Sequence, residues 1–139
     1  MSATKNANRQ CEEVAICEFD YADLTSGSYD AMVDLPIGAI VTGGFLAITT
    51  LFNSATTDKF SIGDKIGSAS ATATTYAAQT ADITATGQAV AITPTGIEMT
   101  AASTVGIVWT GAGTAPSAGA GILVVRYIIA DKADSTFEA

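Results

Sequence analysis

The sequence predicts an all-β fold: a two-sheet antiparallel sandwich, with a jelly roll as the favoured topology. Three observations carry that expectation. Apolar and polar residues alternate in short runs, clusters of Gly, Pro, Asn, Ser and Thr separate the runs, and no segment shows the apolar stripe of an amphipathic helix. An immunoglobulin-type sandwich is the other all-β option, but the Cys–Trp–Cys spacing of that fold is missing.

Taken in order, residues 1–10 read as a polar arm without periodicity, expected to be mobile. Alternation starts at Val14. Val14, Ile16 and Glu18 share one face; Cys17, Phe19 and Tyr21 share the other, so this strand is expected to be covered on both sides. Thr25-Ser26-Gly27-Ser28 makes a turn, and Tyr29 to Leu35 a second strand. Pro36 removes a ladder donor and Gly38 permits a positive φ, which ends it. Ala39 to Phe52 is the longest strand candidate, with a bulge or bend expected at Gly43-Gly44. After a loop at Asn53 to Thr56, Asp58 to Asp64 alternates with Phe60 and Ile62 inward.

Residues 67–82 are a low-complexity run of Ala, Ser and Thr. The hydroxyl residues disfavour helix, so the expectation is a long loop or irregular strand anchored by Tyr76. Strands then follow at Gln88 to Thr93, Ile97 to Met99 and Thr104 to Thr110, the last with Val105, Ile107 and Trp109 on one face. Gly111 to Gly121 reads as a flexible loop. Ile122 to Ala130 is the final strand: Leu123, Val125, Tyr127 and Ile129 face one way, and Ile122, Val124 and Ile128 make the other face apolar apart from Arg126. A strand apolar on both sides is expected to sit inside a sandwich and be covered again, by a partner or a second copy. The domain organisation that follows is an arm at 1–10, a β-sandwich at 11–131 and a polar tail at 132–139.

Composition narrows the function. The chain has 139 residues, which suits one domain. Charged residues make up 14%, against about 25% in ordinary globular domains. A surface so poor in charge is weakly defended against association, which favours a protein that packs on neighbours. The net charge of −8 argues against nucleic-acid and anionic-membrane partners, both of which call for clustered Lys and Arg. No apolar run resembles a secretory leader or a membrane span, so synthesis in a cytoplasm is expected.

Catalytic chemistry finds little to work with. There is no His, and the abundant Ser and Thr lack a recognisable base. Cys11 and Cys17 would lie about 20 Å apart on an extended strand, too far for a disulfide; both are read as reduced, with Cys17 a small core residue. Asp20, Asp23, Asp30 and Asp34 form the densest acidic group, but their spacing matches no EF-hand loop, and a solvated acidic loop is expected. Gly111-Ala-Gly113 and Gly119-Ala-Gly121 lack a Walker lysine and a strand–loop–helix frame. The reading is a non-enzyme without metal or cofactor. Its partner-contact candidates are Lys5 and Arg9 in the arm, Tyr76 in the middle stretch and Phe137, the one aromatic of the tail.

Two segments carry a resemblance. Leu35-Pro-Ile-Gly-Ala-Ile-Val41 opens the longest strand, and Thr57-Asp-Lys-Phe-Ser-Ile-Gly-Asp64 follows it. Together with the Ala/Thr/Gly-rich middle and the closing apolar strand, they resemble the capsid cement or decoration proteins of tailed bacteriophages over residues 12–131. The resemblance implies a jelly-roll subunit, made in the host cytoplasm, on the outer surface of an icosahedral head. There it would clamp the major capsid protein against internal DNA pressure, and copies would pair, as dimers or else as trimers. A tail-fibre or receptor-binding β-module is the alternative.

Overall fold

The computed structural model describes residues 11–130. Eight strands follow one another: β1 (Glu13–Asp20), β2 (Tyr29–Leu35), β3 (Ala39–Thr50), β4 (Thr57–Ile66), β5 (Thr72–Ala77), β6 (Gly87–Ala91), β7 (Ser103–Ala112) and β8 (Ala120–Ile129), with a 3-10 turn at Tyr21–Asp23 after β1. They form two four-stranded sheets, ordered β1-β8-β3-β6 and β2-β7-β4-β5, and every pairing is antiparallel. Only β4 and β5 are consecutive in chain and neighbours in one sheet; the other connections between successive strands cross from sheet to sheet. That order is the jelly roll, a double-sheet wrap that the sequence favoured over the immunoglobulin alternative.

The alternation read from sequence becomes the core. Val105, Ile107 and Trp109 of β7 and Phe60 and Ile62 of β4 face Leu46 and Ile48 of β3 and Leu123 and Val125 of β8. Fully burying each such side chain contributes about 1.5–3 kcal/mol. Phe52, just past β3, joins the two layers at one end. Its ring meets Phe60 edge-on at 5.2 Å and lies 5.7 Å from Trp109.

The punctuation residues act as expected. Gly38 takes φ +87°, and the Ala39 N–H donates to the Pro36 carbonyl across the turn. The bend at Gly43-Gly44 is a bulge: Val41 pairs with Tyr127 and Gly43 with Arg126, leaving Thr42 extra. Cys11 and Cys17 are both free, and Cys17 packs against the core, its thiol 3.6 Å from the Met32 sulfur.

Two expectations need correction. Ile97 to Met99 is not a strand: only Glu98 forms an isolated bridge, to Ile40, while Met99 is clamped between Gly38 and Ala39 by backbone bonds. Its place among the eight is taken by β5, inside the stretch left open as loop or irregular strand. There Tyr76 inserts into the core and β5 runs close to β4, because Gly63 offers no Cβ; one would sit 1.8 Å from the Thr72 carbonyl oxygen. β1 is not covered on both sides by the described residues either, since Val14 and Ile16 are 55% and 59% exposed.

Candidate interaction surface

The two sheets present different outer faces. On β7 the positions between the core residues are Thr104, Gly106, Val108 and Thr110, and on β4 they are Lys59, Ser61, Gly63 and Lys65. That face is mostly small or polar. On the other sheet, the register places Ile16 of β1 opposite Val124 of β8, Val124 opposite Phe45 of β3, and Phe45 opposite Ala91 of β6. This is an apolar row across the whole sheet, its side chains pointing away from the core because their neighbours Leu46, Leu123 and Val125 point into it. One row to one side lie Val14, Arg126 and Gly43; one row to the other lie Glu18, Ile122 and Ala47.

Arg126 is exposed, and its guanidinium lies over Gly43, where a Cβ would come within 2.5 Å of Nη2. A glycine at this position therefore lets the long cation lie down on the sheet instead of standing off it. Beyond it, Thr42 donates a hydrogen bond to the Glu12 carboxylate across β8.

A second feature sits where three connections meet. The β1–β2 turn, the β3–β4 loop and the β7–β8 loop are laced together: Gly27 N–H donates to the Trp109 carbonyl at 2.8 Å, Gly111 N–H to Ser26 Oγ at 3.0 Å, and Ser117 N–H to Asn53 Oδ1 at 2.8 Å. Between them lies a cleft of about 480 Å3 lined by Tyr21, Leu24, Ser54, Trp109, Thr114 and Pro116, among others. Ser54 Oγ is buried beside it without a partner among the described residues.

The acidic group does local structural work. Asp20 caps the 3-10 turn by accepting from Ala22 N–H at 2.8 Å, Asp23 accepts from Asp20 N–H at 3.0 Å, and Asp30 accepts from Thr25 N–H at 3.2 Å. Among the described residues no group of three or more His, Cys, Asp or Glu is placed to hold a metal ion. Burial, and then the nearby Asp23 and Glu18 carboxylates, push the Cys17 thiol above its ordinary pKa, which keeps it protonated and a poor nucleophile.

Of the four partner-contact candidates, Lys5, Arg9 and Phe137 lie outside the described residues. Tyr76 lies inside them and is only 2% exposed. Its ring anchors β5 from within the sandwich, so it is not available as an outer contact of the folded subunit. The outer apolar row was half visible in the sequence, in the two-sided pattern of the first and last strands. What sequence could not supply was the register that aligns Ile16, Val124 and Phe45.

Comparison with protein-family models and with curated proteins gives no match. Among solved structures, a chain of the cyanophage Pam1 capsid asymmetric unit superposes with a TM-score of 0.65 at 21% identity, covering 93% of this chain and 92% of that one. A chain from the acid-stable capsid of Helicobacter pylori bacteriophage KHP30 superposes with a TM-score of 0.53 at 16% identity, covering 86% of this chain and 93% of that one. This chain thus shares its eight-stranded sandwich with chains found in two phage capsids.

Proposed function

We propose that the chain is a structural virion protein of a tailed phage, bound to the outer surface of the head, where it stabilises the lattice of the major capsid protein against the pressure of packaged DNA. The observation that carries this reading is the fold shared, over nearly the whole length of both chains, with a chain of a phage capsid. Three properties agree with it. The subunit has an apolar outer face, its carboxylates cap turns instead of forming a site, and its net charge of −8 suits a protein with no DNA to bind.

Repeated over a head, many weak contacts add up, so no single contact needs to be strong. The arm residues Lys5 and Arg9 and the tail residue Phe137 are contacts offered to the major capsid protein, and copies of the chain associate with one another. No cofactor takes part. The test is whether purified protein binds undecorated phage heads at a fixed ratio and raises their resistance to heat or osmotic shock. Saturable binding with added resistance supports the reading; heads that neither bind nor gain resistance refute it.

The alternative is a tail-fibre or receptor-binding module. The observation favouring it is the cleft between the three connections, with Tyr21 at its rim and Trp109 in its wall. It would show as binding to host cells, abolished by filling the cleft, with no binding to heads.

A further inference from the structure

The apolar row on the outer face of the β1-β8-β3-β6 sheet ends in charge in an orderly way. Arg126 lies one row to one side of the Ile16–Val124 pair, on β8; Glu18 lies one row to the other side, on β1. The two charges are therefore related by the midpoint of that pair. Both side chains are exposed, and between them lie Ile16, at 59% exposure, and the half-buried Val124 and Phe45. An apolar strip with opposite charges at equal distances on either side of its centre is self-complementary.

We propose that this face is the seat of a second copy of the same chain. The two-fold axis lies in the plane of contact and crosses the strands between Ile16 and Val124. That operation sets Arg126 of each copy over Glu18 of the other and packs the two Ile16–Val124–Phe45 rows together. The strands of the facing sheets can then keep the modest crossing angle of aligned sheet packing. The contact removes apolar surface from water at the centre, and the two symmetric charge pairs at the edges fix the register. Gly43 contributes by leaving room for the guanidinium close to the sheet, so that Arg126 does not hold the sheets apart. The small, polar positions between the core residues of β7 and β4 offer no equivalent strip. The inference rests on the reading above only for self-association, not for attachment to heads.

The test uses the full chain without heads. Sedimentation equilibrium or light scattering across a concentration series gives the dimer dissociation constant for the natural chain, Arg126→Glu, Glu18→Arg and the double exchange. Each single exchange places two like-charge pairs in the contact and weakens the dimer by about tenfold or more, whereas the double exchange returns it to near the natural value. Ile16→Asp, at an exposed position, abolishes the dimer. Far-UV circular dichroism and thermal unfolding establish that each variant is folded. A natural chain that stays monomeric, or a dimer indifferent to both single exchanges, overturns the proposal. None of these results bears on whether the natural chain binds heads, so the two readings fail separately.

Discussion

The indole Nε1 of Trp109 donates a 2.9 Å hydrogen bond to Oδ1 of Asp58, a carboxyl only 3% exposed. The other oxygen, Oδ2, accepts from the Ser54 N–H at 3.1 Å. The Asp58 backbone faces the β5–β6 connection: its N–H donates to Asp82 Oδ1 at 2.7 Å, and its carbonyl accepts from Ile83 N–H at 2.9 Å. One residue thus ties the β3–β4 loop, the long β5–β6 connection and the central strand β7 together. Asp58→Ala leaves two donors without acceptors and is expected to lower stability by about 2–4 kcal/mol. Asp58→Asn keeps one acceptor and costs about half as much. Urea unfolding followed by Trp109 fluorescence measures both; equal midpoints for Asp58→Ala and the natural chain would remove Asp58 from the account.

The approach of β5 to β4 depends on Gly63. Its Cβ position falls 1.8 Å from the Thr72 carbonyl oxygen and 2.8 Å from the Thr72 and Ala73 carbonyl carbons, all backbone atoms that no rotamer change can clear. Gly63→Ala is expected to detach β5 and to destabilise by about 3 kcal/mol or more, at or beyond the upper end of ordinary overpacking. Amide exchange at residues 72–77 should then rise well ahead of exchange in β7 and β8. Full protection of that stretch in the variant would show that the pairing tolerates a side chain.

Alkaline pH should unfold the protein through its buried phenols. Burial pushes the Tyr29 hydroxyl from its ordinary 10.0 up to about 12, against a smaller opposing effect of its bond to Thr104 and with a further push from Asp64. Tyr76 is raised too, first by burial and then by Asp64. A phenol whose folded pKa is raised holds its proton more tightly in the native state. The stability it contributes is complete below pH 10 and is lost as pH rises toward and through the folded value. Urea midpoints should therefore begin to fall once pH passes 10. In Tyr29→Phe the neutral-pH stability drops by about 1 kcal/mol, because the 2.9 Å bond to Thr104 is lost, but the alkaline slope becomes shallower. An unchanged slope would assign the alkaline loss elsewhere.

The terminal segments 1–10 and 132–139 are proposed to serve attachment, not folding. Deleting either should move the thermal midpoint little while weakening retention on heads. If a truncation instead unfolds the isolated domain, the arm reading fails.

Much of this fold was legible because the strongest strands carry their burial in their own pattern. In β8, Leu123 and Val125 alternate with Val124 and Arg126, and β7 repeats the device with Val105, Ile107 and Trp109. β5 was harder to place because Ala and Thr supply no face. Tyr76 is its one large apolar side chain, and what lets it pair is a glycine in the preceding strand, β4, whose missing side chain no pattern within β5 itself reveals. Ile97 to Met99 misled for the opposite reason. Ile97 and Met99 would share one face of a strand, yet Ile97 is 58% exposed and Met99 1%, and the only bridge is the single one from Glu98 to Ile40. Asp58 and Asp64 share parity with Phe60 and Ile62 and are buried at the two ends of that face, a role the sequence reading did not assign them. Their acceptors' partners, Trp109 for one and Thr75 for the other, come from other strands. The outer apolar row was only half legible because a strand apolar on both faces reads the same whether its second cover lies in the same subunit or in another one.

The head-binding claim is met most directly by one mass measurement: light scattering of the full chain, alone and mixed with undecorated phage heads. The account predicts that protein mass transfers to the heads and saturates at a fixed ratio of subunits to major capsid protein. A chain that keeps its own oligomeric mass and leaves the heads unchanged would contradict it and turn attention to the cleft beside Tyr21 and Trp109 as a receptor site.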